Sequence, residues 1–202
     1  MASEVDICNL ALTHFGQGAS IDAIDPPDGS AEADYCARFY PIARDEMLER
    51  QVFTFSTKRA TLAELTNDRP DWQHRYALPA DCLKPRAVLP ATYSRFDSLE
   101  ELITSTGAFE WEAGSIYTDE ADAVLVYTFR LTDTTKFSPL FVTSASYILA
   151  GYLAGPIAKD PTGRTQLALR QLGDRYLTMA AASNANATRN RTAYVPTAKR
   201  AR

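Results

Sequence analysis

Residues 4–22 read "EVDICNLALTHFGQGASID", and what flanks Gly16-Gln17-Gly18 decides which fold the chain opens with. A glycine-rich loop binds phosphate when it follows a strand and opens a helix, because free N–H groups and the positive end of the helix dipole then face the anion. Here the order is reversed. Ser3 can cap a helix whose apolar residues Val5, Cys8, Leu12 and Phe15, flanked by Ile7 and Ala11, follow the three-four spacing of one buried face. Gly16 ends that helix, since a glycine fits the left-handed position after the last turn. The glycines then meet carbonyls and the negative end of the dipole, which disfavours an anion.

Working outward, the turn-rich link "DAIDPPDGS" leads to a second helix starting at Asp28 or Ser30. Its apolar face combines Tyr35, Phe39 and Ile42 with Cys36, Tyr40, Ala43 and Met47, and Pro41 inside it predicts a kink or break. From Phe53 the texture changes. "FTFSTKRATL", "RYALP", "RAVLP", "AFEWEAGSIYTD" and "AVLVYTFRL" read as strands of a small sheet with meander-like connections. Helical period returns at Ser138-Pro139, an N-cap followed by proline at the first helical position, and Asp160-Pro161 repeats that signal for a fourth helix ending near Ser183. Its apolar positions are Leu167, Leu169, Leu172, Tyr176, Leu177 and Met179.

This order predicts an α+β protein. Residues 1–52 and 138–183 form a helical bundle from the N- and C-terminal helix pairs, residues 53–137 a small antiparallel β insertion, and residues 184–202 an extended, flexible basic C-terminal arm.

Composition narrows the function classes. With 202 residues, 46% hydrophobic and 23% charged, the chain can bury one sizeable core. No apolar run approaches the roughly 18 residues of a membrane span, and the first residues lack the basic flank of a signal peptide, so a soluble, non-secreted protein is expected. Cys8, Cys36 and Cys82 are odd in number and form no C-x-x-C, which points to small buried hydrophobes rather than disulfides or zinc ligands. Asn186 and Asn190 sit in glycosylation patterns that carry no weight without secretion. Charge is unevenly spread: residues 1–188 hold 16 basic and 25 acidic side chains, whereas the last fourteen, "RNRTAYVPTAKRAR", hold five basic and no acidic ones. An acidic body with a basic tail predicts two surfaces with different partners.

Catalytic constellations are sparse. His14 and His74 have no second ligand at metal spacing, and His14, near a helix end, reads as a capping or surface residue. "GPIAKDPTG" lacks the Lys-Ser/Thr of a nucleotide-binding loop. Glu110 and Glu112 project from one face of a strand, as a glycosidase pair does, but a solvated face is the commoner origin of that spacing. Arg44-Asp45, and Glu46 with Arg50, have ion-pair spacings on the second helix, and Tyr147, Tyr152 and Tyr176 read as core filling. No catalytic, cofactor-binding or metal-ligating residue is assigned.

The run from Ile7 to Ala63, with Asn9, Leu12 and Gly16, the Ile21 and Asp25 link, Ala33, Cys36 and Tyr40, Arg44-Asp45 with Leu48, and the exit Phe53-x-Phe55-Ser56, resembles the tail tubular protein A family. These are the head-to-tail adaptors of short-tailed bacteriophages. The strand "LVYTFR" and the helix "SPLFVTSASYILAGYLAGPI" are similar to the family's second half, so the resemblance spans about residues 5–180. Val52-Phe53 stands where such sequences often carry tryptophan.

The resemblance implies a structural virion protein and no enzyme. It would form a twelvefold ring on the portal protein, above a nozzle protein of the tail tubular protein B kind, with genomic DNA passing through the bore without specific binding and no membrane partner. It would be made in the host cytoplasm and reside at the head–tail interface. An acidic bore would let DNA slide, because each neutralised phosphate adds salt-dependent affinity. By the same analogy the arm docks on the portal, through Arg189, Arg191, Tyr194, Val195, Lys199, Arg200 and Arg202, while the β insertion faces neighbours or the nozzle. Three alternatives stay open: another phage assembly or head-completion protein of similar fold, a virion-associated carbohydrate hydrolase using Glu110 or Glu112, and a helical module whose tail binds nucleic acid nonspecifically.

Overall fold

The computed structural model describes residues 2–16, 20–91, 107–159 and 161–188. Gln17, Gly18, Asp160 and the seven arm residues named above lie outside them. Among the described residues the protein is mixed α+β, with four helices and two antiparallel sheets.

Helix α1 (Glu4–Thr13) opens on a capping box in which the Asp6 amide donates to Ser3 Oγ and the Ser3 amide donates to Asp6, and Gly16 follows it at φ +68°. Helix α2 (Ala31–Arg50) is capped by Ser30, whose hydroxyl accepts from the Ala33 amide. Asp28 accepts from the Asp22 amide and from the Ser30 amide and hydroxyl, and these bonds hold its carboxyl down at about 2. The helix runs through Pro41, so of the kink or break expected there the break does not occur. Pro41 is on the solvent side, where water can satisfy the Ala37 carbonyl that proline leaves without a donor.

Helix α3 (Pro139–Leu153) begins as expected at the Ser138 cap. Helix α4 (Arg164–Thr188) begins after Gly163, at φ +67°, rather than at Pro161, and continues five residues past Ser183. Asn184 belongs to the fold: its Oδ1 accepts from the Thr54 amide and hydroxyl. Residues 184–188, expected in the arm, are therefore helical.

One hydrophobic cluster draws on all four helices, including Ile7, Leu12, Tyr40, Met47, Phe141, Ile148, Leu153 and Leu177. Where the chain leaves α2 and re-enters at α3, Phe53, Phe55, Phe137 and Phe141 interlock, with Phe53 stacked on Phe55 at 4.9 Å and edge-on to Phe141 at 5.2 Å.

The β region is two sheets rather than one meander. Strands β1 (Thr57–Thr61), β4 (Cys82–Leu89) and β7 (Val124–Phe129) form one in the order β1-β7-β4. Strands β2 (Glu64–Leu65), β3 (His74–Ala77), β5 (Phe109–Glu112) and β6 (Ser115–Thr118) form the other in the order β2-β3-β6-β5. The run read as a single strand from Ala108 is a hairpin, turning at Ala113 and Gly114, whose φ values of +47° and +76° suit a tight two-residue turn. Val88, Leu125 and Tyr127 of the first sheet meet Tyr76 and Ile116 of the second in a separate small core.

The first sheet joins the helices through Arg86. Pairing of β4 with β7 skips a residue between Pro85 and Ala87, so Arg86 sits in a bulge on an edge strand that also tolerates Pro85. Its Nη2 donates to the carbonyls of Leu48 (3.1 Å), Glu49 (2.8 Å) and Gln51 (3.0 Å), and its Nε donates to Thr128 Oγ1 (2.9 Å). A cation thus satisfies the carbonyls at the negative end of α2.

Candidate assembly surface

Several of the motif residues quoted from the opening run tie one element to another. Asn9 and the Ile21 backbone exchange two hydrogen bonds, Nδ2 donating to the carbonyl at 3.0 Å and Oδ1 accepting from the amide at 2.8 Å. This amide clamp fixes the far end of the link against α1, while Cys36 and Tyr40 are buried on α2 beside it. All three cysteines are free thiols; Cys8 and Cys36 are fully buried, and burial pushes the Cys82 thiol up to about 12.

Arg44 and Asp45 form a second such tie. The Arg44 guanidinium, nearly buried, pairs with Asp45 at 2.9 Å and with Glu4 of α1 at 4.0 Å, and Asp45 also accepts from Arg130 Nε, just past β7, at 2.8 Å. Glu46 does more than pair with Arg50. It accepts from Tyr152 Oη of α3 and from Arg170 of α4, while Arg50 reaches Asp174 at 2.6 Å. Spacing along α2 exposed only the local partners; the interhelical ones come from packing.

His14 meets its expected role only in part. It occupies the C-cap position of α1, but its ring is half-buried, stacked on Tyr147 with centroids 4.0 Å apart, and Tyr147 stacks in turn on Tyr176 at 5.4 Å. Its Nε2 lies 3.1 Å from Ser146 Oγ, whose single proton is given to the Thr143 carbonyl, so Nε2 must be the donor. Burial lowers the His14 pKa, which outweighs the cation-favouring end of the helix. Stability from neutral His14 is accordingly complete above the unfolded-state value near 6.5 and is lost as pH falls below it. We expect the stability difference between the parent and His14→Gln to shrink from pH 7 to pH 5 in urea titrations; a constant difference would refute this.

Around this ladder the apolar spacing of α4 divides. Leu169 and Leu177 are buried, but Leu172 and Met179 are 41% and 47% exposed, and Leu167 faces solvent. Leu10, one turn before His14, is 40% exposed, and Ile42 of α2 also lies outside the core expected for it.

Glu110 and Glu112 both pair with Arg69 Nη1, at 2.6 and 2.9 Å, and Arg69 also pairs with Asp71 and lies over the Tyr117 ring. They form an exposed ion cluster on β5, with each carboxylate already engaged by the same cation. Among the described residues no group of three or more His, Cys, Asp or Glu side chains is arranged to hold a metal, and no helix is long and apolar enough to cross a membrane.

No protein-family model matches the chain, and no curated protein matches it.

Proposed function

We propose that this protein is a head-to-tail adaptor of a short-tailed bacteriophage: a non-enzymatic ring subunit, twelve to a ring, between the portal and a tail nozzle. In this reading the N- and C-terminal helix pairs form the bundle that builds the ring wall, and the β region faces neighbours or the nozzle. The observation that carries it is the resemblance of residues 7–63 to that family, supported by the physical roles of the residues concerned. Asn9 and Ile21 clamp the α1 exit, Arg44-Asp45 tie α1, α2 and the β7 exit, and Phe53 and Phe55 lock the departure from α2. Residues with such joint roles are hard to exchange singly, which suits a set that marks a family.

The charge distribution agrees. The acidic body opposes retention of DNA in the bore, so the genome slides through without specific binding, and the five cations of the arm, with Tyr194 and Val195, engage the portal. The site of action is the virion.

Electron microscopy of the protein mixed with its portal should show an added ring. A chain ending at Thr188 should lose at least tenfold in portal capture while keeping its far-ultraviolet circular dichroism; capture equal to that of the full chain would refute the arm assignment. Filter binding at two salt concentrations addresses nucleic-acid retention. A tail-driven DNA binder loses affinity steeply with salt, whereas an adaptor has little affinity to lose.

A further inference from the structure

Among the described residues, three helices contribute to one exposed apolar strip. Leu172, Tyr176 and Met179 lie on one flank of α4 at four- and three-residue spacing. The ring stack carries the strip across Tyr147 of α3 to His14 of α1, and Leu10 closes it one turn away. Single exposed apolar residues need no explanation, but a connected strip of leucine, methionine and flat rings does.

We propose that the chain's own residues 189–202 cover this strip in the free subunit, seating Tyr194-Val195-Pro196 along α4 between Met179 and Tyr176. Reach supports this occupant. The segment starts at the residue after Thr188, and Met179 and Tyr176 lie nine and twelve residues back along the helix, roughly 14 and 18 Å at about 1.5 Å per residue. Six extended residues, 189–194, span up to about 20 Å. Tyr194-Val195-Pro196 contains the segment's only large apolar side chains, so it is the part with area to bury.

Charge favours this occupant at the α1 end of the strip. The segment holds five cations and no acid, whereas residues 1–37 hold seven acids and no lysine or arginine. On α1, exposed Asp6 lies one turn before Leu10 on the same face. At the α1 end of the strip a basic segment meets the Asp6 carboxylate, while on α4 it passes exposed Arg175 beside Tyr176. Under the adaptor reading the portal and the strip then compete for one arm, so portal capture uncovers an apolar face as the subunit arrives. The seating itself is independent of that reading.

The test uses the full chain without a portal. With a photo-crosslinking phenylalanine analogue in place of Tyr194, irradiation at low micromolar concentration should give adducts to the peptide containing Tyr176 and Met179, within single chains. Adducts elsewhere, adducts only between chains, or no adducts would overturn the proposal. In parallel, Tyr194→Asp with Val195→Asp should raise binding of an apolar fluorescent dye at least threefold. Adding Leu172→Lys and Met179→Lys should return it to the parent level. Unchanged dye binding in the first variant would likewise overturn it, and circular dichroism separates either result from loss of fold.

Discussion

Replacing Arg86 with alanine should lower unfolding free energy by about 3 kcal/mol, the cost of taking a charged donor from several partly buried acceptors at once. The variant loses the cation that closes the negative end of α2 and the bond to Thr128, leaving the carbonyls of Leu48, Glu49 and Gln51 short of a donor at a joint half closed to water. Burial lowers the Arg86 pKa, but a guanidinium stays charged throughout the ordinary range, so the loss should not depend on pH between 5 and 9. Arg86→Lys should recover less than half of it, because one ammonium on a flexible stem cannot serve three carbonyls and a hydroxyl together. Urea denaturation followed by circular dichroism measures both. Arg86→Ala within 0.5 kcal/mol of the parent would show that water replaces the guanidinium, a threshold set by the scatter of ordinary surface substitutions (about 0.5 kcal/mol).

Gly173→Ala is the second large effect, and its sign opposes helix propensity. In an exposed helix interior, alanine for glycine gains about 1 kcal/mol. At residue 173 a Cβ would lie 2.5 Å from Ile148 Cγ1, 3.1 Å from the Ile148 amide nitrogen and 3.4 Å from Tyr147 Cβ. The side-chain contact can relax by rotating Ile148, but the backbone contact cannot, so α3 and α4 must separate. Ser144 Oγ, which donates to the Gly173 carbonyl at 2.8 Å in the buried seam, would be pulled off its acceptor. Overpacking of this kind costs about 1–3 kcal/mol, and adding the weakened bond gives an expected net loss of about 2 kcal/mol after the propensity gain. That corresponds to a fall in Tm of roughly 5 °C for a chain of this size. A Tm equal to or above the parent's would mean the helices part without cost. Gly173→Val should not fold.

Much of the fold is legible in the sequence because local chemistry fixes it. Ser3 and Ser138 cap the helices expected of them, and Ser30 is the one of its two candidates, Asp28 and Ser30, that caps α2, since a hydroxyl three residues before free amides satisfies them whatever packs nearby. Gly16 takes the left-handed conformation that closes α1, and the uninterrupted β-branched and aromatic run from Ala123 to Leu131 marks the central strand β7. The candidate assembly surface is less legible. The arm residues are recognisable by composition, and Arg44-Asp45 by spacing, yet Glu4 and Arg130 as their partners are distant in the chain and carry no local sign.

By itself the sequence determined which segments are helical and where the β region lies, where most of the helices start, and that an acidic body ends in a basic tail. Those are properties of neighbours within a few residues or of simple sums. Only the tertiary structure decided the rest. Leu172 and Met179 share the helical period of Leu169 and Leu177, and nothing in that period says which pair faces a neighbour and which faces water. Gly173 reads as a flaw in a helix until Ile148 is seen against it. Arg86 reads as an ordinary strand residue until the bulge turns it onto the end of α2. The physical reason is common to all of these: each is decided by a partner dozens of residues away, brought near only when helices and sheet close on a shared core.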